Sequence, residues 1–202
     1  MKTITKIAAI ILSVVMIASL AGCGASAKEF TFEAENAVIN ADGANVETGP
    51  STLNGKDNGD ITNVGSFNSG TLTWTITSDK DCDATLTLYG ASCAMGMTDA
   101  GGFGLMEIDM ATASGSVYKL TNNGTACTMT GKLPGTAELN MEDPAVWRNM
   151  GSVTANIKLV KGENKIVFEI AGALEGAFSS GVNVDKIVIS APAELTWNPT
   201  NN

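Results

Sequence analysis

The chain has 202 residues, with 21 acidic against 12 basic side chains, a net charge of −9 and no histidine. Without histidine there is no Ser-His-Asp triad, no Cys-His pair and no His-ligated zinc, so any catalysis would rest on carboxylates, Tyr, Lys or Cys. The basic residues are scattered rather than clustered. Nothing here tracks a phosphate backbone, and nucleic acid is not an expected partner.

In chain order, Lys2 and Lys6 precede an apolar or small-residue run over residues 7–20. A charged start followed by such a run reads as an export signal, and it falls short of the roughly 20 apolar residues of a spanning helix. The run ends at Leu20-Ala21-Gly22-Cys23. A Leu, two small residues and a Cys resemble the bacterial lipobox. That resemblance implies a signal peptide over residues 1–22 and acylation of Cys23, with palmitate among the expected acyl chains. Each buried CH₂ contributes roughly 0.8 kcal/mol, so two or three chains would tether the protein to a membrane. The expected product is an extracytoplasmic, lipid-anchored lipoprotein, with residues 23–28 as its tether. An ordinary signal peptide followed by an incidental cysteine is the competing reading. Without Lys2 and Lys6 the basic count falls from 12 to 10 against 21 acidic residues, a net of −11.

Residues 29–191 carry strand signals and almost no helical periodicity. Residues 71–77 alternate strictly, with Leu72, Trp74 and Ile76 on one face, which places Trp74 in a core. Leu86 and Leu88 repeat the pattern over residues 84–89. Residues 155–159 and 165–170, joined by Lys161-Gly162-Glu163-Asn164, read as a hairpin. Residues 185–190 form a last strand with Ile187 and Ile189 inward. Period-2 segments punctuated by Gly, Asn and Asp predict one all-β domain, an antiparallel β-sandwich. Residues 91–104 and 121–150 read as long loops, and such loops are functional or disordered. Residues 192–202 read as a frayed tail, with Trp197 as the residue able to pack back. Beyond Cys23, the three cysteines Cys82, Cys93 and Cys127 are an odd number for a disulfide framework; at most one pair forms, and they read as structural.

Five motifs in order carry a further resemblance. These are Phe30-Thr31-Phe32-Glu33-Ala34-Glu35-Asn36-Ala37, Asn63-Val64-Gly65, Leu88-Tyr89-Gly90-Ala91, Val160-Lys161-Gly162-Glu163-Asn164-Lys165-Ile166, and Gly181-Val182-Asn183-Val184-Asp185-Lys186-Ile187-Val188-Ile189. The chain resembles carbohydrate-binding modules of families 6 and 35, which share a galactose-binding-like jelly-roll sandwich. The resemblance implies a structural Ca²⁺ held by a Glu of the Glu-Ala-Glu motif and the Asp of the last strand, here Glu33, Glu35 and Asp185. A carbonyl among residues 54–57 is a candidate to complete it. The residues themselves fit this reading. Glu33 and Glu35, two apart in a strand, leave on one face, and Asp185 opens a strand able to lie beside the first. Hard oxygen donors brought together suit Ca²⁺. Solvated strand-edge carboxylates are the alternative.

The resemblance also implies a sugar site among the loops at one end of the sandwich. Trp147 falls where the family's stacking Trp falls, and Asn183 matches its ligand-binding Asn. Arg148 and Asn149 flank Trp147, as do Glu142 and Asp143, and all can supply polar contacts. Trp147 packing its loop onto the sandwich is the alternative. The chain departs from family 6 at Ser66, where a Tyr often forms a second aromatic wall.

Taken together these imply a non-catalytic, glycan-binding cell-surface lipoprotein. A structural or adhesion module binding protein or cell wall is the alternative from another class. A glycoside-active enzyme using paired carboxylates such as Glu33 and Glu35, or Glu142 and Asp143, is the third. Changing Cys23→Ser is expected to leave the chain unprocessed by the lipoprotein pathway; equal mass and equal membrane partition of mutant and wild type would refute the lipid anchor.

Overall fold

Alternation of apolar and polar side chains builds sixteen strands among the described residues of the computed structural model, which are 26–98, 101–136, 139–140 and 142–199. The expected signal peptide 1–22, the expected lipidation site Cys23 and residues 200–202 of the tail lie outside the described residues. The strands are β1 (Lys28–Glu33), β2 (Val38–Asn40), β3 (Asn45–Leu53), β4 (Lys56–Phe67), β5 (Gly70–Ser78), β6 (Cys82–Cys93), β7 (Met95–Met97) and β8 (Phe103–Leu105). They continue with β9 (Ile108–Asp109), β10 (Tyr118–Asn122), β11 (Thr125–Cys127), β12 (Met129–Leu133), β13 (Asn149–Leu159), β14 (Gly162–Ile170), β15 (Gly181–Ala191) and β16 (Leu195–Trp197). No helix among the described residues is long and apolar enough to cross a membrane.

Two sheets face each other. In the eight-stranded sheet β6 lies between β13 and β15, β1 pairs with the second half of β15, and β4 pairs with its first half. The six-stranded sheet runs β11-β10-β14-β5-β16, with β2 also on β5. Leu72, Trp74 and Ile76 from the smaller sheet and Leu86, Leu88, Ile187 and Ile189 from the larger are fully buried in one core. Phe168 of β14 sits at its centre. It meets Phe67 of β4 edge-on at 5.9 Å and stacks on Tyr118 of β10 at 6.4 Å. The architecture is the antiparallel β-sandwich that period-2 alternation predicts.

Four local expectations fail, each for a physical reason. Residues 155–159 and 165–170 do not form a hairpin: β13 pairs with β6 and β12, while β14 pairs with β5 and β10, in the other sheet. The fully buried Asn164 makes the corner. Its side chain accepts from Val160 N at 2.9 Å and donates to the carbonyls of Val160 and Gly162 at 2.8 and 3.0 Å, so the intervening loop turns between sheets. Residues 121–150 are not one loop. They hold the end of β10, all of β11 and β12 and the start of β13, and burial in β11 and β12 follows no two-residue period. Residues 91–104 are not one loop either: they hold the end of β6, all of β7 and the start of β8, and their glycines and methionines hide the pairing of β7 with β8. Over the described residues 192–199 the tail is held rather than frayed: β16 pairs with β5, and Trp197 packs back as expected, edge-on to Phe32 at 5.6 Å.

Candidate functional site

The site grows from the entry to β13. Asp143 caps a 3₁₀ turn, Pro144–Arg148, by accepting from Ala145 N at 2.9 Å, and Pro144 stands at the turn's start, where its missing N–H costs nothing. The turn projects Trp147, which is half-buried, and points Arg148 inward. The Arg148 side chain is only 9% exposed, yet its charge is fully engaged. Its Nε donates to Asn63 Oδ1 at 2.8 Å, Nη2 to Glu47 Oε2 at 2.8 Å, and Nη1 to Pro144 O at 3.4 Å.

This pair explains the Asn-Val-Gly motif physically. Asn63 supplies the acceptor for Arg148, while a Cβ on Gly65 would lie 2.8 Å from the Glu47 carboxyl carbon. Gly49 on β3 likewise leaves room for the guanidinium, 3.0 Å from its absent Cβ. The two glycines open a slot in which the ion pair lies flat against β3 and β4.

Asn183 on β15 completes the frame. Its Nδ2 donates to the Trp147 carbonyl at 2.6 Å, and the Cys93 thiol points at the same oxygen at 3.9 Å. Burial pushes the Cys93 thiol up to about 12, so it stands as a protonated wall and not as a nucleophile. Cys82, Cys93 and Cys127 are all free thiols.

Trp147, Arg148 and Asn183 thus line one open hollow of about 360 Å³, together with Glu47, Asn68, Cys93, Met95, Pro144 and Ser179. Three of the four expected sugar-site residues are brought together. Asn149 is not: its Oδ1 accepts from Thr52 at 3.0 Å and its Nδ2 reaches Gly135 O at 3.5 Å, outside the hollow's lining. Glu142 and Asp143 also stand outside it. Glu47, Asn68 and Ser179 carry no local sequence signal; only the sheet topology brings them to the Trp147 turn.

The acid corner lies at the end of β1. Trp74 Nε1 in the core donates to Glu33 O at 3.3 Å, tying that corner to the sandwich. Glu33 ends β1, but Glu35 sits in the 3₁₀ turn Ala34–Asn36, so strand alternation does not place the two on one face. β1 does lie beside β15, with Glu33 opposite Lys186. Asp185 does not open that strand. It stands at a bulge between Val184 and Lys186, and the Lys186 ammonium is 3.1 Å from its carboxylate. Desolvation raises both Glu33 and Glu35, with Asp185 adding to it and Lys186 opposing it. Glu35 Oε2 is buried with no hydrogen-bond partner.

A calcium ion would suit that orphaned oxygen, with Glu33 and Asp185 in electrostatic reach. Among the described residues, however, no three His, Cys, Asp or Glu side chains close into a metal-holding group. The carbonyls of residues 54–57 do not fit. Asp57 lies seven residues along β4 from Val64, the point where β4 meets Val184, roughly 20 Å at strand rise.

No family profile matches the chain, and no curated protein matches it. Among solved structures it is similar to a family 35 carbohydrate-binding module from Cellvibrio japonicus, at 14% identity and TM-score 0.49 over 86% of this chain and 100% of that one. It is similar to a family 35 module from Clostridium thermocellum at 16% identity and TM-score 0.45, covering 80% and 97% of the two chains. A third is a family 6 module of a Cellvibrio mixtus lichenase in complex with cellotriose, at 16% identity and TM-score 0.43, covering 80% and 95%. Families 35 and 6 are those the sequence motifs resemble.

The Arg148 geometry generates its own test. Glu47→Ala leaves a guanidinium 9% exposed without its carboxylate, so urea unfolding is expected to show a loss of about 1–3 kcal/mol. A wild-type midpoint would remove the pair from the frame of the site.

Proposed function

We propose that the protein is a non-catalytic carbohydrate-binding module, displayed outside the cytoplasm on a lipid anchored at Cys23. One observation carries the reading: the Trp147 indole lines a hollow in which apolar walls from Met95 and Pro144 stand beside polar groups of Glu47, Asn68, Ser179 and Asn183, with Arg148 and Asn183 fixing the frame. An indole face accepts the C–H side of a pyranose, and the surrounding amide, hydroxyl and carboxylate groups accept or donate to its hydroxyls. Ligand pockets combine an apolar surface with a few placed polar groups in this way. Glycoside hydrolysis would need two carboxyls facing each other across the cleft, and Glu47, held by Arg148, is the single carboxylate among the described lining residues.

Asn183 acts here on two levels. Its Nδ2 holds the Trp147 main chain, so it orients the indole as well as lining the hollow.

Trp147→Ala is expected to remove most glycan affinity without unfolding the domain. Stacking on an aromatic ring contributes about 1–3 kcal/mol in the related case of nucleic-acid bases, and roughly 1.4 kcal/mol is tenfold. Calorimetry or affinity gels with xylan, β-glucan, galactan and mannan would measure it. Wild-type binding of every glycan by the mutant would refute the site, and a collapsed melting temperature would return Trp147 to the core. Asn183→Ala should weaken binding less.

The acid corner is proposed as a structural calcium site, supported by the orphaned Glu35 oxygen and by Glu33 and Asp185 beside it. A ligand bound by the native state alone stabilises it by mass action. Millimolar calcium is therefore expected to raise the melting temperature over EDTA, and Glu35→Ala and Asp185→Ala to abolish the rise. An unchanged temperature in the wild type removes the metal.

A further inference from the structure

We propose that the exposed ring pair Phe103–Phe178 is a second stacking platform for the same ligand, so that the protein binds a chain of several sugar units running from the Trp147 hollow onto these rings. This rests on the carbohydrate reading above and extends it from a single sugar contact to a polysaccharide or a long oligosaccharide.

Most of the large apolar side chains of the described residues are buried, and the exposed ones are few. Val38 on β2, Val46 on β3 and Val160 between β13 and β14 lie on separate segments, but Met97, Phe103 and Phe178 stand together, at 56%, 56% and 67% exposure. Met97 and Phe103 are register partners across the β7–β8 hairpin. Phe178 joins them from the segment before β15. Its N–H donates to Met95 O at 2.7 Å, and the neighbouring Ala177 bridges Gly96. The two rings meet edge to face, centroids 5.9 Å apart. They are therefore mounted on hydrogen-bonded backbone and held against each other, with much of the Phe178 ring open to solvent. A grouped apolar surface on a folded domain marks a contact site, whereas scattered single residues do not.

Position relative to the Trp147 hollow selects the occupant. A shallow depression beside Phe178 is lined by Asn68 and Ser179, and these two residues also line the Trp147 hollow. Ser179 is fixed: its hydroxyl donates to Cys93 O at 3.1 Å and accepts from Met95 N at 3.2 Å. The surface thus presents an indole, then a ridge carrying an amide and a hydroxyl, then a pair of benzyl rings. A glycan chain alternates C–H faces with hydroxyl edges and matches that order. A bilayer does not: the polar ridge would be buried against acyl chains, and an anionic headgroup would meet a protein of charge −9. Among the described residues, the one cation lining either depression is Arg148, already paired with Glu47.

The test is a length series. Cello-, xylo-, manno- and galacto-oligosaccharides from disaccharide to hexasaccharide are titrated into the full chain and into Phe178→Ala, Phe178→Tyr and Trp147→Ala by calorimetry. The wild type is expected to gain affinity with length in at least one series. Phe178→Ala should cut the hexasaccharide-to-disaccharide affinity ratio about tenfold, and Phe178→Tyr should restore it. Phe178 is the most exposed of the three, so a misfolded alanine variant is not expected, and the tyrosine variant controls for one. A ratio that is flat in the wild type, or unchanged in Phe178→Ala, overturns the platform while leaving the Trp147 site standing. Loss of binding to phosphatidylglycerol vesicles by Phe178→Ala with an unchanged ratio assigns the rings to a membrane and also overturns it. Failure of the underlying carbohydrate reading looks different: no series binds the wild type, or Trp147→Ala binds the disaccharide unchanged.

Discussion

The buried guanidinium of Arg148 is the interaction on which the rest of the site depends. Three elements meet at it: the Pro144–Arg148 turn, β3 through Glu47 and β4 through Asn63. An unpaired charge so far from water is costly, so the guanidinium stays buried only while Glu47 and Asn63 hold it, and the turn stays with it. The side chain therefore does for the loop what a disulfide does in a smaller protein. Trp147, one residue before it, inherits a fixed position, and Asn183 secures the same backbone from the opposite side.

Around that anchor the hollow is assembled from segments distant in sequence. Glu47 and Arg148 are 101 residues apart, and Asn183 and Trp147 are 36 apart. Contacts of this span need the sheets to bring distant segments together, so the site belongs to no single segment. β15 has a part in both the hollow and the acid corner. Asn183 and Asp185 flank Val184, and the bulge after Val184 lets one residue turn toward the Trp147 loop and the other toward Lys186.

The sandwich was legible because its central strands alternate cleanly. Leu72, Trp74 and Ile76, and Leu86 and Leu88, are buried as the pattern requires. Sheet membership was not legible. Lys161-Gly162-Glu163-Asn164 has the composition of a hairpin loop, and only the side-chain bonds of Asn164 reveal a corner between sheets. The short strands β11 and β12 escaped because they lie at a sheet margin, where burial no longer follows a two-residue period. In the site, motif position points to Trp147 and Asn183, and nearness to Trp147 points to Arg148; all three line the hollow, but Arg148 stands as an anchor rather than as a flanking contact, and Asn149 faces Thr52. Glu47 escaped notice because its role depends on a glycine, Gly65, that makes space across a strand pair.

The three tryptophans occupy three different environments. Trp74 is wholly inside the core, and Trp197 leans edge-on against Phe32 near the C-terminal strand. Trp147 alone lines the hollow. The chain therefore carries its own optical reporter: a ligand seated in the hollow would touch one known indole, while the other two follow the state of the sandwich.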